Sequence, residues 1–290
     1  MNDFEIVTDS SCDLPADLAD ELGLTVLPLS FEINGKEYLN YLDGRSMPLH
    51  EYYDRLRAAE PARTSAVNVD AFVGAVEPLL KEGKDVLLPA FSSGLSNTYN
   101  SARMACEELA AKYPERKVIC VDTLCASLGE GLILYYAVQK QREGKSIEEV
   151  RDWLEQNKLN LCHWFTVDDL MHLKRGGRIS PALAFIGGML NVKPVMHMDD
   201  AGKLAAVGKV RGRKASLDAL VDHMEESAIA PKTQTVFISH GDTPEDAEYV
   251  ASEVRRRFGV EHIVINTVGP VIGTHSGPGT LALFFLGTHR

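Results

Sequence analysis

Ser96 occupies a position from which chemistry can be done. It lies in Gly94-Leu95-Ser96-Asn97-Thr98, between an apolar run at 85–91 and a helical pattern that continues to about residue 112. A serine at a helix start caps a free amide, and the amides after it face any anion placed there. Three chemistries fit. One is a plain cap. The second is a carboxylate or phosphate site using the Ser96 hydroxyl and the Asn97 amide. The third is a nucleophile elbow, because the segment is one glycine short of G-x-S-x-G in a strand–turn–helix setting. His275, in Gly273-Thr274-His275-Ser276-Gly277-Pro278-Gly279, is the natural partner for either of the last two. A glycine-rich loop lets backbone approach a ligand closely, and an imidazole can donate to an anion or act as a base.

Other polar loops carry less. Thr64-Ser65 precedes a helical stripe at 70–81, and Asp9-Ser10-Ser11 follows the first apolar run. Asp9 is similar to the opening of a haloacid-dehalogenase phosphatase motif, but Ser11 replaces its second Asp. Lys174-Arg175-Gly176-Gly177-Arg178 is the most basic short stretch, and it suits a phosphate or an acidic partner. The apolar segments at 182–190 and 280–287 read as core or as pocket lining. Five cysteines, at 12, 106, 120, 125 and 162, form no C-x-x-C pair and sit beside no His cluster. Buried free thiols are expected rather than zinc ligands, and no metal or cofactor is expected.

The elements that must position these residues follow from periodicity. Strands are expected at 4–8, 24–29, 85–91 and 117–121. Helices alternate with them, one capped by Asp13 and stopped by Gly23, others at 46–59, 70–81 and 124–142, and one opened by a Ser146/Glu149 capping box. Such alternation implies βαβ units around a parallel sheet. Beyond residue 157 strands are expected at 164–167, 193–197, 205–210, 235–239, 262–267 and 268–272, with helices at 214–228 and 244–258. The fold class is therefore α/β, with two α/β domains, 1–157 and 158–290, the first built on a mostly parallel sheet. Ligands collect beyond the carboxyl ends of strands in such sheets, which is where the polar loops fall.

Composition narrows the function. The 290 residues include 30 Lys+Arg and 41 Asp+Glu, a net charge of −11. No basic stripe offsets the acidity, which argues against nucleic-acid binding. No run reaches about 18 apolar residues, so no transmembrane segment is expected. The start, Met-Asn-Asp-Phe-Glu, resembles no signal peptide, and a cytoplasmic location is expected.

As an ordered set, these loops resemble the DegV family, which includes the fatty-acid-binding subunits of bacterial fatty acid kinase. The matching pieces are Val7-Thr8-Asp9-Ser10-Ser11, Thr64-Ser65, 92–102, 173–180, Leu190-Asn191-Val192-Lys193-Pro194, Val210-Arg211-Gly212-Arg213-Lys214 and 273–279. The resemblance covers essentially the whole chain. It implies two α/β domains enclosing a long-chain fatty acid. It also implies a non-catalytic role: the acyl carboxylate is presented to a separate ATP-dependent kinase, and the acyl-phosphate formed serves phospholipid synthesis. The implied carboxylate contacts are Thr64, Ser96, Asn97 and His275, with Arg178 serving the encounter with the fatty acid kinase catalytic subunit. Two departures are visible. Asn97 stands where the family usually has Gly, and the family's Thr-Ser-x-Pro-Ser stretch is here Thr64-Ser65-Ala66-Val67-Asn68, without the Pro that would hold the Thr64 loop.

Energetics favour a lipid over a lone anion. About fourteen buried methylenes at ~0.8 kcal/mol each give a gross ~11 kcal/mol. The head group must still be hydrogen-bonded, because an unpaired buried carboxylate is costly. The alternatives are a serine hydrolase of lipid esters using Ser96 and His275, and an interaction protein docking through 174–178.

Overall fold

The computed structural model describes residues 4–180 and 191–290. The apolar stretch expected at 182–190 therefore lies outside the described residues. The first half of the chain alternates strands and helices: β1 (Phe4–Asp9), α1 (Ala16–Leu22), β2 (Thr25–Leu27), β3 (Ser30–Ile33), β4 (Lys36–Leu39), α2 (Leu49–Arg57), β5 (Ala62–Ser65), α3 (Val69–Lys81), β6 (Asp85–Ala90), α4 (Thr98–Lys112) and β7 (Val118–Asp122). Helices α5 (Leu128–Arg142) and α6 (Ile147–Asn157) follow. Then come β8 (Leu161–Thr166), α7 (Leu170–Arg175), β9 (Val192–Met198), β10 (Leu204–Arg211), α8 (Arg213–Ser227), β11 (Thr235–His240), α9 (Pro244–Phe258), β12 (His262–Thr267), α10 (Pro270–Ser276) and β13 (Leu281–Leu286).

Three sheets result. Strands β2-β1-β6-β7 pair in parallel throughout, as the βαβ pattern requires. Strands β4-β3-β5 form a small antiparallel sheet, and β10-β9-β8-β13-β11-β12 a six-stranded mixed one. The α/β class with a parallel first sheet is thus what the chain adopts. Helix α5 lies between the two larger sheets. It is buried almost all round, from Leu128 through Val138, and belongs to one apolar cluster with Phe4 of β1, Phe165 of β8 and Phe284 of β13. A helix apolar on every face has no solvent side, so α5 binds the two sheets together.

Several local expectations need correction. Asp13 does not cap α1. That helix starts at Ala16 behind Pro15, and Asp13 is a left-handed residue (φ 50°) whose buried carboxylate bonds elsewhere. Residues 268–272 are not a strand: β12 ends at Thr267, and Pro270, with φ preset for a first helical turn, opens α10. His275 is therefore in the last turn of a short helix, not in a loop. The β3–β4 hairpin was not expected, although Asn34-Gly35 is the strongest short hairpin signal; both residues have positive φ, and Ile33 pairs Lys36 across the turn. Thr64 and Ser65 lie on β5 itself. The segment after them is held without a proline: Val67 is buried, and the Asn68 side chain accepts the Ala71 amide to cap α3. The Ser146/Glu149 capping box is present. The five cysteines are free, and all but the half-buried Cys120 are buried.

Candidate functional site

A cavity of about 260 Å³ lies between the two larger sheets, walled by Phe91 and Ala126 from one half and by Phe165, Met198, Ala282 and Phe284 from the other. An apolar cavity of about 150 Å³ already accommodates a benzene ring. The wall is apolar because pocket-facing residues alternate along β8 and β13. Phe165 pairs Ala282, and His163 pairs Phe284, with the intervening side chains on the far face.

One end of the cavity is polar, and it gathers residues far apart in sequence. Thr64 from β5, Ser96 and Asn97 from the β6–α4 loop, Arg178 after α7, and His275 and Ser276 from α10 all line it. Thr64 Oγ1 and His275 Nε2 are 2.8 Å apart. The other ring nitrogen packs on Gly176, where an added Cβ would sit 2.2 Å from Nδ1, so this close approach requires glycine. Burial, reinforced by the Arg178 cation, pulls the His275 pKa down from 6.5 to about 4. His275 is thus neutral at pH 7 and can donate through one nitrogen only. Ser96 Oγ lies 2.9 Å from Thr98 Oγ1 and accepts the Thr98 amide. No hydrogen bond joins Ser96 to His275 among the described residues, so the nucleophile–base pair of a hydrolase is not formed. Asn97 is exposed at the rim, its side-chain oxygen accepting from Asn100.

Arg178 is half-buried. Its Nε donates to Leu95 O at 3.2 Å, and burial lowers its pKa. The guanidinium thus belongs to the same polar end, not to an outlying loop, while Lys174 and Arg175 are exposed. A second cavity of about 470 Å³ shares Thr64, Arg178 and His275 with the first. It is bordered by Arg63, His172 and Arg175 and opens toward solvent beside the polar end.

Sequence reasoning missed Ser276. Ser276 belongs to the cavity wall, and its Oγ, buried behind that wall, has no hydrogen-bond partner among the described residues. Adjacency to His275 was the available signal. Ser127 and Ser239, also on the cavity wall, were missed because each sits at an element end that periodicity treats as structural. Asp9-Ser10-Ser11 is absorbed by structure instead. Asp9 accepts the Ser11 and Phe91 amides, and Ser10 Oγ accepts from Leu29 N and Asn40 Nδ2. No helix among the described residues is long and apolar enough to cross a membrane.

An α/β chain whose two larger sheets hold an apolar cavity between them, with a cluster of hydroxyls, an imidazole and a guanidinium at one end, has the form of a binding protein for amphipathic acids. The model of the DegV family, described as uncharacterised protein family COG1307, matches residues 3–288, and the chain belongs to that family. A DegV domain-containing protein of Clostridium perfringens is 47% identical over 99% of this chain and 98% of its own length. One of Streptococcus pyogenes is 34% identical, over 98% of each. Among solved structures, a Thermus thermophilus DegV family protein described as fatty-acid-binding superposes with a TM-score of 0.88 at 30% identity, covering 98% of this chain and 99% of that one. DegV of Bacillus subtilis, described as a fatty-acid-binding protein, gives 0.85 at 27% identity, covering 99% and 100%.

Proposed function

We propose that the protein binds a long-chain fatty acid in the cavity between the sheets and presents its carboxylate to a separate ATP-dependent fatty acid kinase in the cytoplasm. The chain itself performs no covalent step. The observation that carries this reading is the polarity of the cavity: an apolar body ends in one cluster of donors, Thr64, Ser96, His275 and the Asn97 amide. A buried carboxylate needs two or three such donors, while the apolar body suits an alkyl tail. Arg178 adds positive charge at the same end. The reading gives it the encounter with the kinase, whose phosphoryl donor would approach through the solvent-facing cavity bordered by Arg63 and Arg175. The fatty-acid binding described for the Thermus and Bacillus relatives supports the ligand class.

Native mass spectrometry of the protein isolated from a bacterial host tests the first step. A co-purified fatty acid, or uptake of added stearate by lipid-free protein, is expected; protein that stays empty with both overturns the reading. Phosphorylation assays with the kinase test the second, with Arg178→Ala expected to lower acyl-phosphate yield more than fatty-acid affinity. Stoichiometric labelling of Ser96 by a fluorophosphonate would favour the hydrolase instead.

A further inference from the structure

His275 is carried by a helix too short to hold its own direction. Helix α10 has seven residues, Pro270–Ser276, and its first turn has no side-chain cap. Isolated helices shorter than about 12 residues are marginal in water. The direction of α10, and with it the place of the imidazole, must come from what grips it. Asp13 accepts the Gly269 amide just before the helix. The other grips come from α2, in the first half of the chain. Tyr53 Oη donates to Val268 O at 2.9 Å. Tyr52 Oη donates to Pro270 O at 2.9 Å and lies 2.7 Å from Thr274 Oγ1, the residue before His275.

Both tyrosines are fully buried, where a phenylalanine would fill the same space with no hydroxyl to satisfy. Here both hydroxyls are aimed at one helix. The approach is so close that a Cβ on Gly273 would sit 2.7 Å from Tyr53 Oη. Tyr52 also reaches the other side of the head-group site. Thr64 stands opposite Phe31 in the β3–β5 pairing, and the Phe31 ring meets Tyr52 edge-on, their centroids 5.4 Å apart. Tyr52 thus touches both the strand pair that carries Thr64 and the helix that carries His275. Those two side chains are 2.8 Å apart. His50 and Arg57, at helical spacing from Tyr53, bond Asp242 after β11, so this face of α2 is docked against the second half of the chain.

We infer that Tyr52 and Tyr53 are positioning residues for the head-group site: their hydroxyls hold α10 so that the His275 imidazole meets Thr64 and a bound carboxylate. Neither tyrosine lines either cavity, so both act through His275. The inference rests on the fatty-acid reading and adds to it what sets the imidazole in place. Loss of the Tyr52 hydroxyl strands no buried donor, because Thr274 Oγ1 still donates to Pro270 O at 2.8 Å. What is lost is the tether between α2 and α10.

Tyr52→Phe and Tyr53→Phe, which keep both rings in the core, test it by two readouts. In calorimetric titration of lipid-free protein with stearate, Tyr52→Phe should bind about threefold to fivefold more weakly, because a misaligned hydrogen bond loses much of its value. The double variant should approach the loss of about tenfold expected for His275→Ala, which is the ceiling for residues that act through the imidazole. In a His275→Ala background either substitution should change affinity by less than about twofold. The second readout needs no ligand. The NMR titration of His275 in lipid-free Tyr52→Phe should move up from about 4 toward 6.5 as the loosened ring gains water, whereas a role in stability alone leaves it in place. Should Tyr52→Phe not fold, Tyr53→Phe carries both readouts. A native titration with native affinity overturns the inference, and so does a loss that persists undiminished without His275. If the unaltered protein binds no stearate, the fatty-acid reading fails, and the His275 titration still decides whether the tyrosines place the ring.

Discussion

The two polar zones of the cavity are built in opposite ways. At the head-group end, Thr64, Ser96, Arg178 and His275 are half-buried, come from four separate segments, and share a wall with a second cavity that opens to solvent. At the inner zone, Asp13, Ser127 and Ser239 are buried and bonded to one another and to the Gly269 amide. The same helix, α10, touches both, its first turn at Asp13 and its last at Thr64. The outer zone has half-buried donors to spare on the cavity wall, at Thr64, Ser96, Arg178 and His275, whereas the inner zone is nearly closed on itself. A site with donors to spare is suited to a ligand that comes and goes; a closed network chiefly fixes the geometry of the elements it joins. Mutations should therefore cost stability at one end and affinity at the other.

The largest contrast is expected between Asp13→Ala and Thr64→Ala. Removing the Asp13 carboxyl leaves the Gly269 amide without an acceptor and the Ser127 hydroxyl without its partner, in a buried place. At about 1–3 kcal/mol for each unmet buried group, unfolding in urea should register a loss on the order of 3 kcal/mol. Thr64→Ala, on a half-buried strand position, should cost less than about 1 kcal/mol. Equal losses at the two positions would erase the distinction. Next in size is His275→Ala, expected to weaken fatty-acid binding by about tenfold, the value of a hydrogen bond to a charged group, while the urea midpoint hardly moves. A variant that binds stearate normally would remove the imidazole from the site. Gly176→Ala should follow with a loss of a few-fold. Its backbone (φ −72°) accepts alanine, but the new methyl must push the His275 ring aside. Unchanged affinity would show that the position of the ring matters little.

How much of this contrast the sequence announces depends on which residues carry it. The parallel sheet was legible because βαβ alternation leaves a strong period, and the capping box because its two residues are three apart. The outer zone was legible because Thr64, Ser96 and His275 stand in short polar stretches of the sequence beside apolar runs, although folding puts Thr64 on a strand and His275 on a helix. Yet even there the secondary structure of residues 268–272 was misread: Val268, Val271 and Ile272 make an apolar run too short for its period to be decided, and only Pro270 marks a helix start. The inner zone left no local trace. Asp13, Ser127 and Ser239 are separated by more than a hundred residues each, and each resembles an ordinary capping or strand-end residue until folding brings them together. A buried network that closes across two sheets has no period, so a pattern in one chain cannot report it.

The subtlest difference between the zones is their response to pH. Burial raises the Asp13 carboxyl from 3.8 to about 7, and it lowers the His275 imidazole, with help from Arg178, from 6.5 to about 4. The signs follow from proton counting. A group raised on folding holds its proton in the native state when the unfolded chain has lost it, so the contribution of Asp13 is present below pH 3.8 and lost as pH rises toward 7. His275 is neutral in the native state when the unfolded chain is protonated, so its contribution is present above pH 6.5 and lost as pH falls toward 4. Between about pH 4 and 6.5 the two slopes oppose each other, each at most about 1.4 kcal/mol per unit. Asp9 and Glu130, also raised by burial, act in the same direction as Asp13 and are common to every variant, so the informative quantity is the difference between curves. His275→Gln should make stability fall more steeply with rising pH across this window, and Asp13→Asn should make it rise more steeply than in the native protein. Urea titrations at several pH values check both. Parallel curves for the two variants would mean that neither group titrates where its surroundings place it, and that the contrast between an open and a closed zone does not extend to charge. A bound fatty acid sharpens the test, because a carboxylate beside His275 favours the imidazolium and should move its NMR titration upward while leaving that of Asp13 in place.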